Sequence, residues 1–366
     1  VMNNEALLIA VLANPAIVKH AEAESFDEVT WSLLLSAARQ QKMLATLYYL
    51  LDDYQLLDEI PEKARIHLAS SALYCNKLHQ SLAYELQQIS SALKTVGYSA
   101  TLLKGGAYVL ANKKAGRGRF FSDIDLLLPK EQLETAKNVL FLKGWIQQSV
   151  DQYDDHYYRE WTHELPPLVH LERASVVDLH HAIFPVVSHH AFSVVPLMRN
   201  TVKPDDEYEV DVLAPEGMFI HSAVHLFMQE DFDKLVRDSF DMHRLIAEHG
   251  HEETFWTRLQ GLAIELKVQT AVADALHCCK QWYNSPIQQH VFQALNKENL
   301  LTKLRRRCLH HLLFSSNKIH LTFAHYYLYL RGHLLKMPLH ILLPHLCWKT
   351  IKQLKQSIKQ VTAHGR

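Results

Sequence analysis

Acidic residues are missing from the end of this 366-residue chain: residues 301–366 hold twelve Lys and Arg and no Asp or Glu. The whole chain sums to −1, so residues 1–300 carry −13. That asymmetry implies an anionic partner for the tail, a membrane surface or another polyanion, or else a basic helical face packed on the acidic remainder. Both remain open at this level. Cysteine is scarce: Cys75, Cys278, Cys279, Cys308 and Cys347 include no C-x-x-C pair. An odd, scattered set excludes a disulfide framework and points to reduced thiols and a cytoplasmic setting. No uncharged apolar run reaches the roughly eighteen residues of a membrane span. The nearest, 334–348, contains Lys336, Pro338 and Pro344 and is at most an interfacial segment. The opening VMNNEALLIAVLANPAIVKH lacks a basic n-region and a cleavage site, so no signal peptide is expected. G-x-x-x-x-G-K-[ST], G-x-S-x-G and H-E-x-x-H are all absent. Their absence argues against a P-loop ATPase, a Ser-His-Asp hydrolase and a zincin, despite 25 histidines.

What is present concentrates in residues 102–128, LLKGGAYVLANKKAGRGRFFSDIDLLL. An apolar run leads into Lys104-Gly105-Gly106, a basic loop follows, and Asp123-Ile124-Asp125 opens a second apolar run. If that run is a strand, the two aspartates project to one side and Ile124 to the other. Adjacent carboxylates repel unless a cation lies between them, and oxygen ligands of this kind suit Mg²⁺. Glycines leave backbone N–H groups open to a phosphate. Together these features describe a nucleotide–metal site.

These residues resemble the nucleotidyltransferase superfamily that includes DNA polymerase beta, with its Gly-Gly or Gly-Ser followed by Asp-x-Asp. More closely, the chain is similar to uncharacterised bacterial nucleotidyltransferases. Their Lys-Gly, Arg-x-x-Ser-Asp-x-Asp-Leu and Asp-Leu-His stand here as Lys104-Gly105, Arg119 to Leu126 and Asp178-Leu179-His180. Residues 31–51, 163–168 (HELPPL) and 214–245 also match the family's helical lead-in, the segment before its third carboxylate and its helical tail. The resemblance implies a Mg²⁺-dependent transfer of a nucleoside monophosphate from a nucleoside triphosphate, ATP first among them, to an acceptor hydroxyl. That acceptor is a small molecule, a sugar, a protein side chain or an RNA end. Asp123, Asp125 and Asp178 are expected to hold the metal and serve catalysis. Lys104, Gly105, Gly106, Arg117, Arg119, Ser122 and His180 are expected to meet the nucleotide. For Lys104 the alternative is a salt bridge to an aspartate, since a lysine ending a buried strand needs an anion. A non-catalytic nucleotide-binding protein or a membrane-associated scaffold of an envelope polysaccharide pathway is the competing reading.

The expected architecture is α+β: a small mixed-sheet core at 98–214 between helical regions at 1–97 and 215–366, the last with the basic tail. Helical spacing runs through Trp31, Leu34, Leu35 and Ala38, and a long helix from about 67 ends at Gly97. Strands are expected at 99–103, 124–128, 145–150, 156–161, 168–172, 176–180 and 210–213. A helix should span 105–112, opened by the glycines, and 113–119 should be a flexible basic loop. His221 and His225 stand one helical turn apart and are read as packing residues.

Overall fold

A computed structural model describes residues 4–19, 26–147, 157–204, 208–346 and 348. Four helices come first: α1 (Asn4–Ala13), α2 (Glu28–Gln40), α3 (Leu44–Asp53) and α4 (Glu62–Lys94). Asp27 caps α2, its side chain accepting the Thr30 N–H at 2.8 Å, which satisfies one of the free amides of the first turn. After α4, Gly97 takes φ +71° and the Tyr98 N–H returns to the Leu93 carbonyl at 3.1 Å. The left-handed residue turns the chain out of the helix into the sheet, a geometry glycine adopts without a Cβ penalty.

Seven strands form one mixed sheet in the order β3-β4-β5-β2-β1-β7-β6. They are β1 (Ala100–Leu102), β2 (Ile124–Leu127), β3 (Trp145–Gln147), β4 (Leu168–His170), β5 (Val176–His180), β6 (Thr201–Val202) and β7 (Val210–Leu213). β2 lies parallel to β5 and antiparallel to β1, and β1 lies parallel to β7. The central strands bury both faces, which is why their sequences read as near-continuous apolar runs. Helices α5 (Lys104–Leu110) and α6 (Leu133–Phe141) connect them.

Three expectations need correction. The described part of 156–161, Tyr157–Trp161, is a single helical turn. The basic segment 113–119 is packed: Ala115 is buried in a 3-10 turn, Lys113 pairs with Glu248, and the Thr46 hydroxyl donates to the Gly118 carbonyl at 3.0 Å. Gly118 has φ +78°, and a Cβ there would lie 2.6 Å from the Ala45 carbonyl carbon, so glycine is what lets this segment reach α3. Short β6 was not anticipated, and the end of the 145–150 strand, at 148–150, lies outside the described residues.

The chain is helical again from Pro215. The longer helices are Pro215–Phe227, Leu235–His249, Glu253–Glu265, Gln269–Tyr283, Leu300–Phe314 and Lys318–Lys336, of which Leu235–His249, Gln269–Tyr283 and Leu300–Phe314 pack on α1. One hydrophobic cluster runs from Leu7 through the sheet to Leu328. Part of the basic tail turns inward. Arg305 and Arg306 both pair with buried Asp274, and Lys336 reaches Glu230 at 2.8 Å. Among the described residues no helix is long and apolar enough to cross a membrane.

Candidate active site

The site is built on the two central parallel strands. Asp125 on β2 is in register with Asp178 on β5, and His180 follows two residues later. Neighbours in register on parallel strands face the same side, and so does the residue two positions on. Ligand atoms of Asp125, Asp178 and His180 accordingly lie within 4.8 Å of one another. Asp123 precedes β2 by one residue and lies outside that cluster. It lines a groove beside Ser122, and burial followed by the negative charge of Asp125 raises its carboxyl pKa.

Asp125 is the hub. Its Oδ1 accepts Lys104 Nζ at 2.6 Å and faces His180 Nε2 at 2.9 Å. Burial opposes ionisation, but Lys104 and His180 outweigh it and hold the carboxyl well below the usual range. Burial likewise disfavours the Lys104 ammonium, and Asp125 overcomes it, so its pKa is raised. The salt-bridge alternative for Lys104 is therefore what the structure contains. Lys104 also has φ +51°, a conformation unusual outside glycine that over-determined sites tolerate.

Asp178 is different. Burial first, then the charges of Asp125 and Glu164, push it up to about 7. Its buried Oδ1 has no hydrogen-bond partner. A half-starved carboxylate beside a second one is the pattern expected where a cation belongs.

Gly105 and Gly106 sit inside the first turn of α5, not in a turn before it. A Cβ on Gly105 would come 3.2 Å from the Phe121 Cβ, and one on Gly106 would come 3.3 Å from the Leu102 side chain. Their visible effect is to let α5 settle onto β1 and the segment before Asp123.

The two arginines expected at the nucleotide are engaged elsewhere. Arg117 pairs with Asp52 and Asp53 and stacks over Tyr49, its charge 5.0 Å from the ring centre. Arg119 is buried, with Nε 2.6 Å from Asp241 and Nη2 3.1 Å from Asp238 on the Leu235–His249 helix. Both carboxylates lie about 120 residues downstream, so neighbouring sequence gives no hint of them.

Glu164 was missed. It bridges to His180 in the antiparallel sense, and its Oε2 lies 3.3 Å from His180 Nδ1. His180 thus stands between two carboxylates. Burial opposes its charge, but Asp125 and Glu164 raise its pKa. His163, Glu164 and His180 form a second group of potential ligands within 4.8 Å. HELPPL marks it only as an acid among apolar residues before two prolines, and nothing local ties Glu164 to His180. His221 and His225 lie in a small buried cavity with Lys104 and Tyr108, and burial followed by Lys104 drives His225 down to about 3.

A family model described as uncharacterised nucleotidyltransferase matches residues 27–284. No curated protein gives a significant match. The match takes in β1 to β7, every carboxylate of the site and the helix that holds Arg119. The chain belongs to the uncharacterised nucleotidyltransferase family and is a transferase enzyme.

Proposed function

We propose that this enzyme moves a nucleoside monophosphate from a nucleoside triphosphate, ATP foremost, to an acceptor hydroxyl with release of pyrophosphate. The observation that carries the reading is the in-register pairing of Asp125 with Asp178, which leaves a buried, unpartnered Asp178 oxygen beside an ionised carboxylate. An oxygen-rich donor set of this kind fits Mg²⁺, which Asp125 and Asp178 would hold with Asp123 completing the set. Bound there, Mg²⁺ would neutralise charge on the phosphoryl oxygens and favour attack at the α-phosphate. Lys104 faces the same carboxylate, and a triphosphate offers its ammonium a second set of oxygens. Asp178, raised to about 7 by burial and neighbouring charge in the metal-free protein, would be held ionised by Mg²⁺ and so be able to take the acceptor's proton. His180, fixed between Asp125 and Glu164, sets the orientation of the Asp125 carboxylate. Arg117 and Arg119 are left out of the nucleotide contacts, since each is held by two aspartates.

The test is transfer of label from each α-labelled triphosphate in Mg²⁺, with pyrophosphate release followed alongside, comparing the natural chain with Asp125→Asn. Loss of one metal-held transition-state contact costs roughly 10²–10³ in rate. Full activity of Asp125→Asn in Mg²⁺ sinks the assignment.

A second, compatible proposal concerns the tail. Ile319, Phe323, Tyr326 and Leu330 recur at helical spacing along Lys318–Lys336 and are 77%, 54%, 71% and 58% exposed. With a chain end free of acids, that stripe suits peripheral contact with an anionic membrane. Flotation with anionic liposomes should be lost in Phe323→Glu/Leu330→Glu. Flotation unchanged by that pair removes the stripe from the contact.

A further inference from the structure

We propose that the groove running from Asp123 along one face of α4 is the acceptor site, and that it takes an uncharged, hydroxyl-rich acceptor, a saccharide. This rests on the nucleotidyl-transfer reading above.

The groove encloses about 820 Å³, within the range of small-ligand clefts. Asp123, Ser122 and Phe121 line it together with one face of α4 and the turn at 173–175. Lys104 does not line it; that residue lines the separate cavity of His221 and His225. The cation assigned to the donor's phosphates therefore lies outside this groove. In-line displacement at the α-phosphate requires that separation, because the incoming hydroxyl and the departing pyrophosphate occupy opposite ends.

The class of acceptor follows from the lining. Tyr74, Lys77, Ser81 and Tyr84 are spaced three, four and three residues apart and share one helix face, a run of ~15 Å. Tyr74 and Tyr84 are 65% and 51% exposed, although Tyr74 stacks on Phe120 and Arg173 lies over the Tyr84 ring. Exposed tyrosine faces offer flat apolar area with a polar tip, suited to the apolar face of a ring that carries hydroxyls. The charges nearly cancel. Arg173 is taken by Glu85 through two bonds of 2.6 and 2.9 Å, which leaves Lys77 and Asp123, one of each sign. A polynucleotide laid along this face would bring several phosphates against a single lysine, whereas such ligands need a cationic track. Neutral groups that both donate and accept line the rest, among them Gln80, Ser81 and Ser175.

The chemistry balances without a further reagent. A saccharide hydroxyl oxygen bonds to the α-phosphorus, the bond to the pyrophosphate oxygen breaks, and the hydroxyl proton passes to Asp178. The products are a nucleoside monophosphate saccharide diester and pyrophosphate.

The experiment incubates the full chain with Mg²⁺, α-labelled triphosphates and a fractionated cell extract freed of nucleotides, then identifies the labelled product by mass spectrometry. We expect the label on a neutral saccharide, resistant to ribonuclease and protease. With that acceptor, Tyr74→Ala/Tyr84→Ala should raise the acceptor KM roughly ten-fold, as the loss of aromatic contacts implies, and leave the triphosphate KM nearly unchanged. Both side chains are exposed, and matching circular dichroism and melting will show that the variant folds. Label released by ribonuclease or protease overturns the saccharide. A rise in triphosphate KM instead of acceptor KM overturns the acceptor groove, because it then holds the donor's nucleoside. No label from any triphosphate defeats the nucleotidyl-transfer reading itself, and the saccharide proposal with it.

Discussion

A single oxygen of Asp125 serves both Lys104 and His180, so the charge of that carboxylate has a structural as well as a chemical consequence. Asp125→Asn should lose transfer and also melt lower, since the half-buried ammonium and the imidazole lose their anion. Adding Lys104→Met should recover much of the melting temperature and none of the activity, a coupling that a double-mutant cycle measures. Asp178→Asn is expected to behave in the opposite sense. Its carboxyl titrates at about 7 in the folded chain against an ordinary 3.8, so the folded state favours the protonated form. Stability from this group is complete below the ordinary value and is lost as pH rises towards 7. In Mg²⁺-free buffer Asp178→Asn should therefore gain on the natural protein between about pH 4 and 7. Melting scans across that window check the sign, while nucleotide binding survives and turnover does not. Asp125, Asp178 and His180 were legible because strand alternation and the Asp-x-Asp and Asp-Leu-His motifs operate over a few residues. Glu164 was not, because its role depends on a bridge to His180 that only the folded sheet creates.

At the scale of elements, the segment before β2 is anchored by a helix that follows it by more than a hundred residues. Arg119 closes on Asp238 and Asp241 of Leu235–His249, with all three side chains at most 12% exposed. Arg119→Ala would strand buried Asp241, while Asp238 keeps Arg237 at 2.6 Å, and breaking such a buried pair costs about 3–5 kcal/mol. Arg117→Ala removes only a surface pair and should cost about 0–1 kcal/mol. Urea unfolding of the two variants side by side tests the contrast; equal losses would contradict it. This anchoring also explains why the glycine-rich basic stretch was misread. Gly116 and Gly118 suggested mobility, yet a Cβ at either would collide with backbone of α5 or α3. Local sequence shows where a chain is free to turn, not what it turns against. The strands β2, β5 and β7 were legible because burial makes them apolar, and Gly97 and Gly144 marked helix ends through their positive φ.

For the molecule as a whole, acid is the expected weakness. Burial, then Lys104, lowers His225 to about 3, and burial, then Arg244, lowers His243 to about 4, against an ordinary 6.5. The unfolded chain binds these protons first, so the stability they contribute is present above 6.5 and is lost as pH falls towards their folded values. Each group steepens the decline by at most about 1.4 kcal/mol per pH unit. Chemical denaturation at several pH values should show it, and His243→Gln should flatten the slope; an unchanged slope would mean that His243 titrates normally.

The contiguous core has a practical side for anyone trimming the gene. Kinship is recognisable from 27 to 284, but the folding unit respects neither limit. Leu8 and Val11 of α1, both fully buried, precede the first, and α1 packs on Gln269–Tyr283 and Leu300–Phe314. Arg305 lies past the second and neutralises Asp274 inside it. A clone cut at the borders of family likeness would expose the seat of α1 and leave Asp274 a naked charge in an oily interior. What relatives share and what can stand alone are different lengths of chain, and the smallest working fragment must reach outward at both ends.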